Sequence, residues 1–249
     1  MSIQLVNVHV EIPLYLQGHD RLLKKPTFLT KSVGGNVRHS AKSISIKAVT
    51  DFNLEIKNGG RVGLLGHNGA GKSTLLKAIA GIVPCSSGVL KVNGKVGCIF
   101  DGGSNFSNEL TGREVIKFYC KIFNPEASHS DIEEDVLDFT ELGDFIDLPT
   151  RVYSAGMSAR LYAALSTAML NDILLIDEGI GAGDMAFQQK FSIRLDKYLK
   201  SAAILVLATH SLELMREYCN EGIIMKRGEK IFHGEINEAI RRYTKGIED

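Results

Sequence analysis

Apolar residues recur along this chain with two periods. Ile3 to Ile12 alternates in part, as a strand does, and Phe52 to Ile56 alternates again before the turn residues Asn58, Gly59 and Gly60. The apolar stretch Val62 to Leu65 predicts a strand that runs through a glycine-rich turn into a helix over Ser73 to Ala80. Val89 to Val92 and Val96 to Phe100 flank Asn93 and Gly94, a pattern that predicts a two-residue hairpin. Thr111 to Phe123 and Asp131 to Phe139 have helical spacing with Pro125 between them, and a third helix runs from Tyr153 to about Leu170. Ile173 to Ile176 and Ala203 to Leu207 are short and apolar, as buried parallel strands are, and strands and helices alternate from there to the end. A long polar and basic stretch, roughly Gln17 to Ser43, interrupts this regularity with RLLKK at Arg21 to Lys25 and a loop signal at Gly34, Gly35 and Asn36. There is no internal repeat, low-complexity tract or heptad pattern.

Composition narrows the picture. At 249 residues the chain can bury a full core, which predicts one large domain or two small ones. Its 29 Lys and Arg balance 29 Asp and Glu, so no global field draws it to nucleic acid. Cys85, Cys98, Cys120 and Cys219 have no CxxC spacing and read as reduced thiols of a cytosolic protein. The opening MSIQLVNVHVEIP has neither a basic leader nor a long apolar core. The run Ala202 to Ala208 is too short to span a bilayer, so any work at a membrane is expected to go through a partner.

The strongest chemical signal is GHNGAGKS, from Gly66 through His67, Asn68, Gly69, Ala70, Gly71 and Lys72 to Ser73. Its glycines let the backbone turn tightly and aim N–H groups at phosphate oxygens, and the helix that follows adds its positive end. Lys72 is then expected to reach the β- and γ-phosphates of a nucleotide, Ser73 to ligate Mg²⁺ and Thr74 to lie beside the phosphates. Downstream, ILLIDE buries a strand whose end presents Asp177 and Glu178 where ligands of open α/β sheets bind. Asp177 is expected to hold Mg²⁺ through its water shell, and Glu178 to orient or deprotonate the attacking water.

YSAGM, Tyr153 to Met157, has no meaning in P-loop proteins generally, and with it the chain resembles the ATP-binding cassette family. That resemblance implies an α/β fold: a RecA-like P-loop core, an N-terminal antiparallel β subdomain and a helical subdomain at about residues 105–170, all in one nucleotide-binding domain over 1–249. It implies a homodimer around two ATP molecules, in which Ser154 and Gly156 contact the γ-phosphate held by the other chain. His210, after the strand ILVLAT, matches the switch histidine, and Gly183 and Asp184, preceded by Ala182, match the loop that joins the two sites. Met157, Leu161, Leu165 and Ala168 recur at helical spacing and read as core. Arg151 reads either as part of the signature or as a solvated charge.

Two positions depart from the family pattern. No Gln lies between Gln17 and Gln188, and Asp101 is the nearest polar substitute for the usual Gln. It can touch water or Mg²⁺ but adds negative charge beside a triphosphate. Tyr15 is the candidate adenine-stacking aromatic, although Ile12 aligns more directly and Tyr15 also reads as a strand-end aromatic.

ELTGREV at Glu109 to Val115, RVYSAGM at Arg151 to Met157 and GDMAFQQK at Gly183 to Lys190 resemble the ATPase subunit of polysaccharide exporters, those for O-antigen, capsule or teichoic acid. The closing segment Thr209 to His233 is similar as well. The resemblance implies ATP hydrolysis coupled to a separate transmembrane permease dimer that moves a lipid-linked polysaccharide, at the cytoplasmic face of the inner membrane and with no nucleic acid involved. No carbohydrate-binding domain is expected after the cassette. An importer ATPase is the nearest alternative. A ribosome- or DNA-acting cassette protein would carry two cassettes or a coiled-coil insertion, and a small-molecule kinase has no need of YSAGM and His210. The basic insertion around Arg21 to Leu29 reads either as a membrane-facing segment or as a surface loop. Phe118 and Tyr119, on the Thr111 to Phe123 helix, read either as permease-docking residues or as core.

Overall fold

The computed structural model describes residues 1–14, 36–39, 44–100, 108–123, 128–177 and 185–246. The chain divides into two units, Met1–Gly94 with Leu175–Asp177 and Ala203–Asp249, and Lys95–Leu174 with Glu178–Ala202.

The first unit holds an antiparallel sheet in the order β2-β3-β1-β5, built from β1 (Ser2–Leu14), β2 (Asn36–His39), β3 (Ile44–Lys57) and β5 (Ser87–Asn93). Ile3, Leu5, Val8 and Val10 of β1 are buried, so the inward face changes phase between Leu5 and Val8. Asn7, with φ 49°, and Asp51, with φ 45°, take the left-handed backbone that these shifts require, and Asn53 Oδ1 accepts the Asn7 N–H at 2.8 Å. Alternation is therefore only partial in the sequence, and β3 is much longer than the predicted Phe52 to Ile56. The stretch read as polar loop also contains β2.

The predicted hairpin between Val89–Val92 and Val96–Phe100 does not form. β5 pairs with β1, placing Leu90 opposite Leu5 and Val92 opposite Ile3. A chain-distant partner with a matching apolar pattern overrides the local Asn-Gly signal.

The second sheet of this unit runs β10-β9-β4-β8 to the end of β7, with β4 (Arg61–Leu65), β7 (Ile173–Asp177), β8 (Ile204–Ala208), β9 (Glu221–Lys226) and β10 (Glu229–Glu235). β4 is parallel to both β8 and β9, and Val62, Leu64, Leu65 and all of Ile204–Ala208 are buried. β9 and β10 form an antiparallel hairpin through Arg227 (φ 52°) and Gly228 (φ 86°), where strict strand–helix alternation was expected. Two positive φ values in succession suit a tight hairpin turn. Helices α1 (Lys72–Ile79), α6 (Leu212–Tyr218) and α7 (Ile236–Thr244), numbered in chain order with those below, complete the unit.

The second unit is mainly helical: α2 (Gly112–Phe123), α3 (His129–Thr140), α4 (Ala155–Thr167) and α5 (Met185–Ser201), with β6 (Val96–Phe100) and short 3₁₀ turns at Gly143–Asp147 and Thr150–Val152. Val115, Ile116, Ile132, Val136, Leu161, Leu165 and Phe187 belong to one buried cluster. Arg194 of α5 ties three helices together. Its guanidinium makes a two-bond fork to Asp135 of α3, donates to Thr167 Oγ1 of α4 at 2.7 Å and lies 4.4 Å from the Phe139 ring centroid. Among the described residues no helix is long and apolar enough to cross a membrane.

Candidate active site

The glycine-rich turn leaves the buried strand β4 at Leu65. Gly66, Gly69 and Gly71 have φ of 152°, 79° and 103°, which curl the backbone into a concave loop leading to the N-terminus of α1. Glycine is obligatory at Gly71 on steric grounds too, because a Cβ there would lie 2.3 Å from the Ala48 carbonyl oxygen of β3. The β9–β10 turn secures the loop from the other side. Gly228 N–H donates to the Ala70 carbonyl at 2.9 Å, and Thr50 N–H donates to the Gly228 carbonyl at 2.9 Å. The sequence reading missed this clamp, although Arg227-Gly228 between two strand-like runs is a recognisable hairpin signal.

Lys72 is buried, at 6 % exposure, and its Nζ donates to the Gly66 carbonyl at 2.7 Å. The ammonium is thus held over the mouth of the loop. Ser73 and Thr74 follow it in the first turn of α1, with Ser73 exposed. His67, Asn68 and Gly69 are exposed on the loop and Ala70 is buried beneath it. Asp177 is buried at the end of β7, and His210 is exposed just past the end of β8. Because β4 and β8 are parallel, the P-loop and His210 leave the sheet from the same edge. Gly66 to Thr74, Asp177 and His210 all belong to the first unit.

Ser154 and Gly156 open α4 in the second unit. Ser154 is its N-cap, with Oγ accepting the Met157 N–H at 3.2 Å. A Cβ on Gly156 would meet nothing closer than Ser154 Oγ at 3.8 Å, so the first turn is open to an approaching group. Behind it, Leu161 and Leu165 are buried, with Met157 and Ala168 packed against the same cluster. Arg151 pairs with Glu109, and its N–H donates to the Asn108 carbonyl at 3.0 Å. Burial pushes the Tyr153 phenol above its ordinary pKa, and its hydroxyl donates to the Phe145 carbonyl at 2.9 Å. These bonds fix the loop that presents the signature.

Tyr15, Asp101, Glu178, Ala182, Gly183 and Asp184 lie outside the described residues, as does the insertion around Arg21 to Leu29. The arrangement described supplies a backbone cradle, a buried ammonium, a hydroxyl at a helix start and a buried carboxylate, which together suit a polyphosphate with a divalent cation.

The ABC transporter family model matches residues 49–181. Among similar curated proteins, the O-antigen export system ATP-binding protein RfbE of Yersinia enterocolitica is 38% identical over 224 residues, covering 89% of this chain and 93% of that protein. The polysialic acid transport ATP-binding protein KpsT of Escherichia coli is 35% identical, with 79% and 90% covered. The teichoic acids export ATP-binding protein TagH of Enterococcus faecalis is 34% identical over 79% of this chain but only 44% of its own length. Two solved structures share the fold. An ATP-binding subunit of an ABC transporter aligns with TM-score 0.68 at 19% identity, covering 98% of this chain and 94% of that one. A dimeric post-hydrolysis ATP-binding cassette bound to ADP and Pi aligns with TM-score 0.67 at 21% identity, covering 94% and 98%.

Proposed function

The chain belongs to the ABC transporter family as an ATPase subunit, and from that premise we propose that it drives export of a lipid-linked polysaccharide, of the O-antigen or capsule kind, through a separate transmembrane permease dimer. The observation that carries the export reading is the 38% identity to an O-antigen export ATP-binding protein sustained over 93% of that protein's length. In this reading residues 1–249 act as one cassette on the cytoplasmic face of the inner membrane, and the polysaccharide is handled by the whole complex.

We further propose roles for the site. The P-loop N–H groups and Lys72 bind the β- and γ-phosphates of ATP, and Lys72 neutralises charge as the γ-phosphoryl group departs. Ser73 would ligate Mg²⁺ and Asp177 would hold it through its water shell, with Asp101 as a further contact. When bound, the ion would offset the negative charge of the phosphates. Glu178 accepts the proton of the attacking water, and His210 orients the γ-phosphate. Ser154 and Gly156 of a second chain close over the same phosphate, with Asp184 at the dimer seam and Tyr15 against the adenine. ATP stabilises the closed dimer and hydrolysis releases it. The difference in ATP affinity between the two states supplies the work of transport.

Two measurements test this. The Glu178→Gln protein, sized with ATP and Mg²⁺, should accumulate as a dimer, and adding Ser154→Arg should return it to monomer while nucleotide stays bound. An unchanged dimer would remove the trans contact. Co-purification should recover a permease whose presence makes hydrolysis respond to lipid-linked polysaccharide. Stimulation by a periplasmic binding protein and an imported solute would replace export with import.

A further inference from the structure

His67 to Gly69, the outer part of the P-loop, are exposed, and their flank borders a cavity of about 330 Å³ lined also by Ile224, Arg227, Ile231 and Tyr243. Packing from the sheet does not fill this side. The Tyr243 ring reaches His67 there, with centroids 5.7 Å apart and planes tilted by 48°. This geometry is within the range of favourable aromatic pairs.

Tyr243 is anchored to the sheet rather than to the loop. Glu235 caps α7 by accepting the Glu238 N–H at 3.0 Å, and Ile236, Ala239 and Ile240 are buried. Gly222 of β9 admits the helix so closely that a Cβ there would sit 2.4 Å from the Ala239 Cβ. Tyr243 is four residues beyond Ala239 and hence on the same helix face. At the other end of the contact, the His67 carbonyl accepts the Ala70 N–H at 3.0 Å and lies 3.4 Å from Lys72 Nζ. A shift of His67 therefore moves both the loop backbone and a carbonyl facing the ammonium.

We propose that Tyr243 is a positioning residue for ATP binding, holding the P-loop in its concave form through its ring contact with His67. It touches neither the phosphates nor the reacting water. The inference rests on the P-loop being the ATP site, and that premise is tested separately by Lys72→Ala. Helix α7 stays docked without Tyr243, because Ile236, Ala239 and Ile240 bury it, so the effect falls on nucleotide affinity rather than on the fold.

The test is a titration of the full chain with a fluorescent N-methylanthraniloyl-ATP and Mg²⁺. An aromatic pair of this kind corresponds to about a two- to tenfold rise in Kd for Tyr243→Ala, and Tyr243→Phe, which keeps the ring, should restore binding to near wild type. His67→Ala should weaken binding similarly, and the double variant should be no weaker than the worse single one. Wild-type affinity in a folded Tyr243→Ala protein, failure of Tyr243→Phe to restore it, or losses that multiply in the double variant would each overturn the proposal. If Tyr243→Ala does not fold by circular dichroism, Tyr243→Leu is judged by the same criteria. Should Lys72→Ala bind as tightly as wild type, the ATP-site premise fails and the inference falls with it.

Discussion

Lys72 Nζ donates to the Gly66 carbonyl at 2.7 Å, so the side chain folds back across the loop from whose end it springs. The ammonium is buried and held by main-chain oxygens, a position that serves an anionic ligand better than it serves stability. Replacing it with an apolar side chain of similar length separates the two. Lys72→Met should melt no lower than wild type, while ATP hydrolysis falls by about 100-fold or more. A parallel loss of melting temperature would make Lys72 a structural residue.

Neighbouring aromatics on α2 part company. Phe118 is exposed at 48 %, whereas Tyr119 packs against the buried cluster of the helical unit with its ring 4.5 Å from that of Phe123. Of the two readings open for each residue, the packing of Tyr119 favours core, and the exposure of Phe118 leaves it available for docking. Phe118→Ser should change stability by no more than about 0.5 kcal/mol yet weaken assembly with the permease. Tyr119→Ser should destabilise the chain by about 2 kcal/mol or more. Urea titration and co-purification, run on both variants, give the comparison. A stable Phe118→Ser chain that assembles normally would move the docking surface elsewhere.

The four thiols differ in reach. Desolvation pushes Cys219, which is buried, and Cys98, which like Cys85 is partly exposed, up to about 12, and it raises Cys120 and Cys85 by less. A raised pKa lowers the thiolate fraction at any pH below it, and thiolate is the species that alkylates. Iodoacetamide at pH 8 should therefore modify Cys85 first, with Cys98 and Cys219 slower by about tenfold or more. Mass spectrometry of digests taken over time reads the order, and equal rates at Cys219 and Cys85 would contradict this burial.

The loop of the candidate site was legible because its geometry is local: Gly66 to Ser73 sets it in eight consecutive residues. The signature likewise needs only Ser154 to cap a helix and Gly156 to leave its first turn open. Long-range pairing was not legible. Nothing adjacent to Asn93-Gly94 reveals that Leu90 faces Leu5 across β1, and nothing around Asp51 announces the left-handed residue that lets β3 run on to Lys57. The clamp from Gly228 to Ala70 and the contact from Tyr243 to His67 join residues more than 150 positions apart. A periodic pattern constrains faces, whereas such pairs are chosen by the assembled fold.

Ser154 offers the sharpest division between folding and mechanism, because one hydroxyl is assigned to both. As N-cap of α4 it accepts the Met157 N–H at 3.2 Å, and in the proposed dimer it faces the other chain's γ-phosphate. Ser154→Ala removes the cap and should cost about 1 kcal/mol, confounding any change in activity. Aspartate caps helices as well as serine does, so Ser154→Asp should unfold at nearly the wild-type denaturant midpoint. Its carboxylate, however, would oppose the triphosphate across the closed interface. In the Glu178→Gln background with ATP and Mg²⁺, Ser154→Asp should elute as monomer and Ser154→Ala should retain part of the dimer. A Ser154→Asp chain that dimerises as readily as its parent would mean that no phosphate lies opposite the signature, and the two-site mechanism would have to be abandoned.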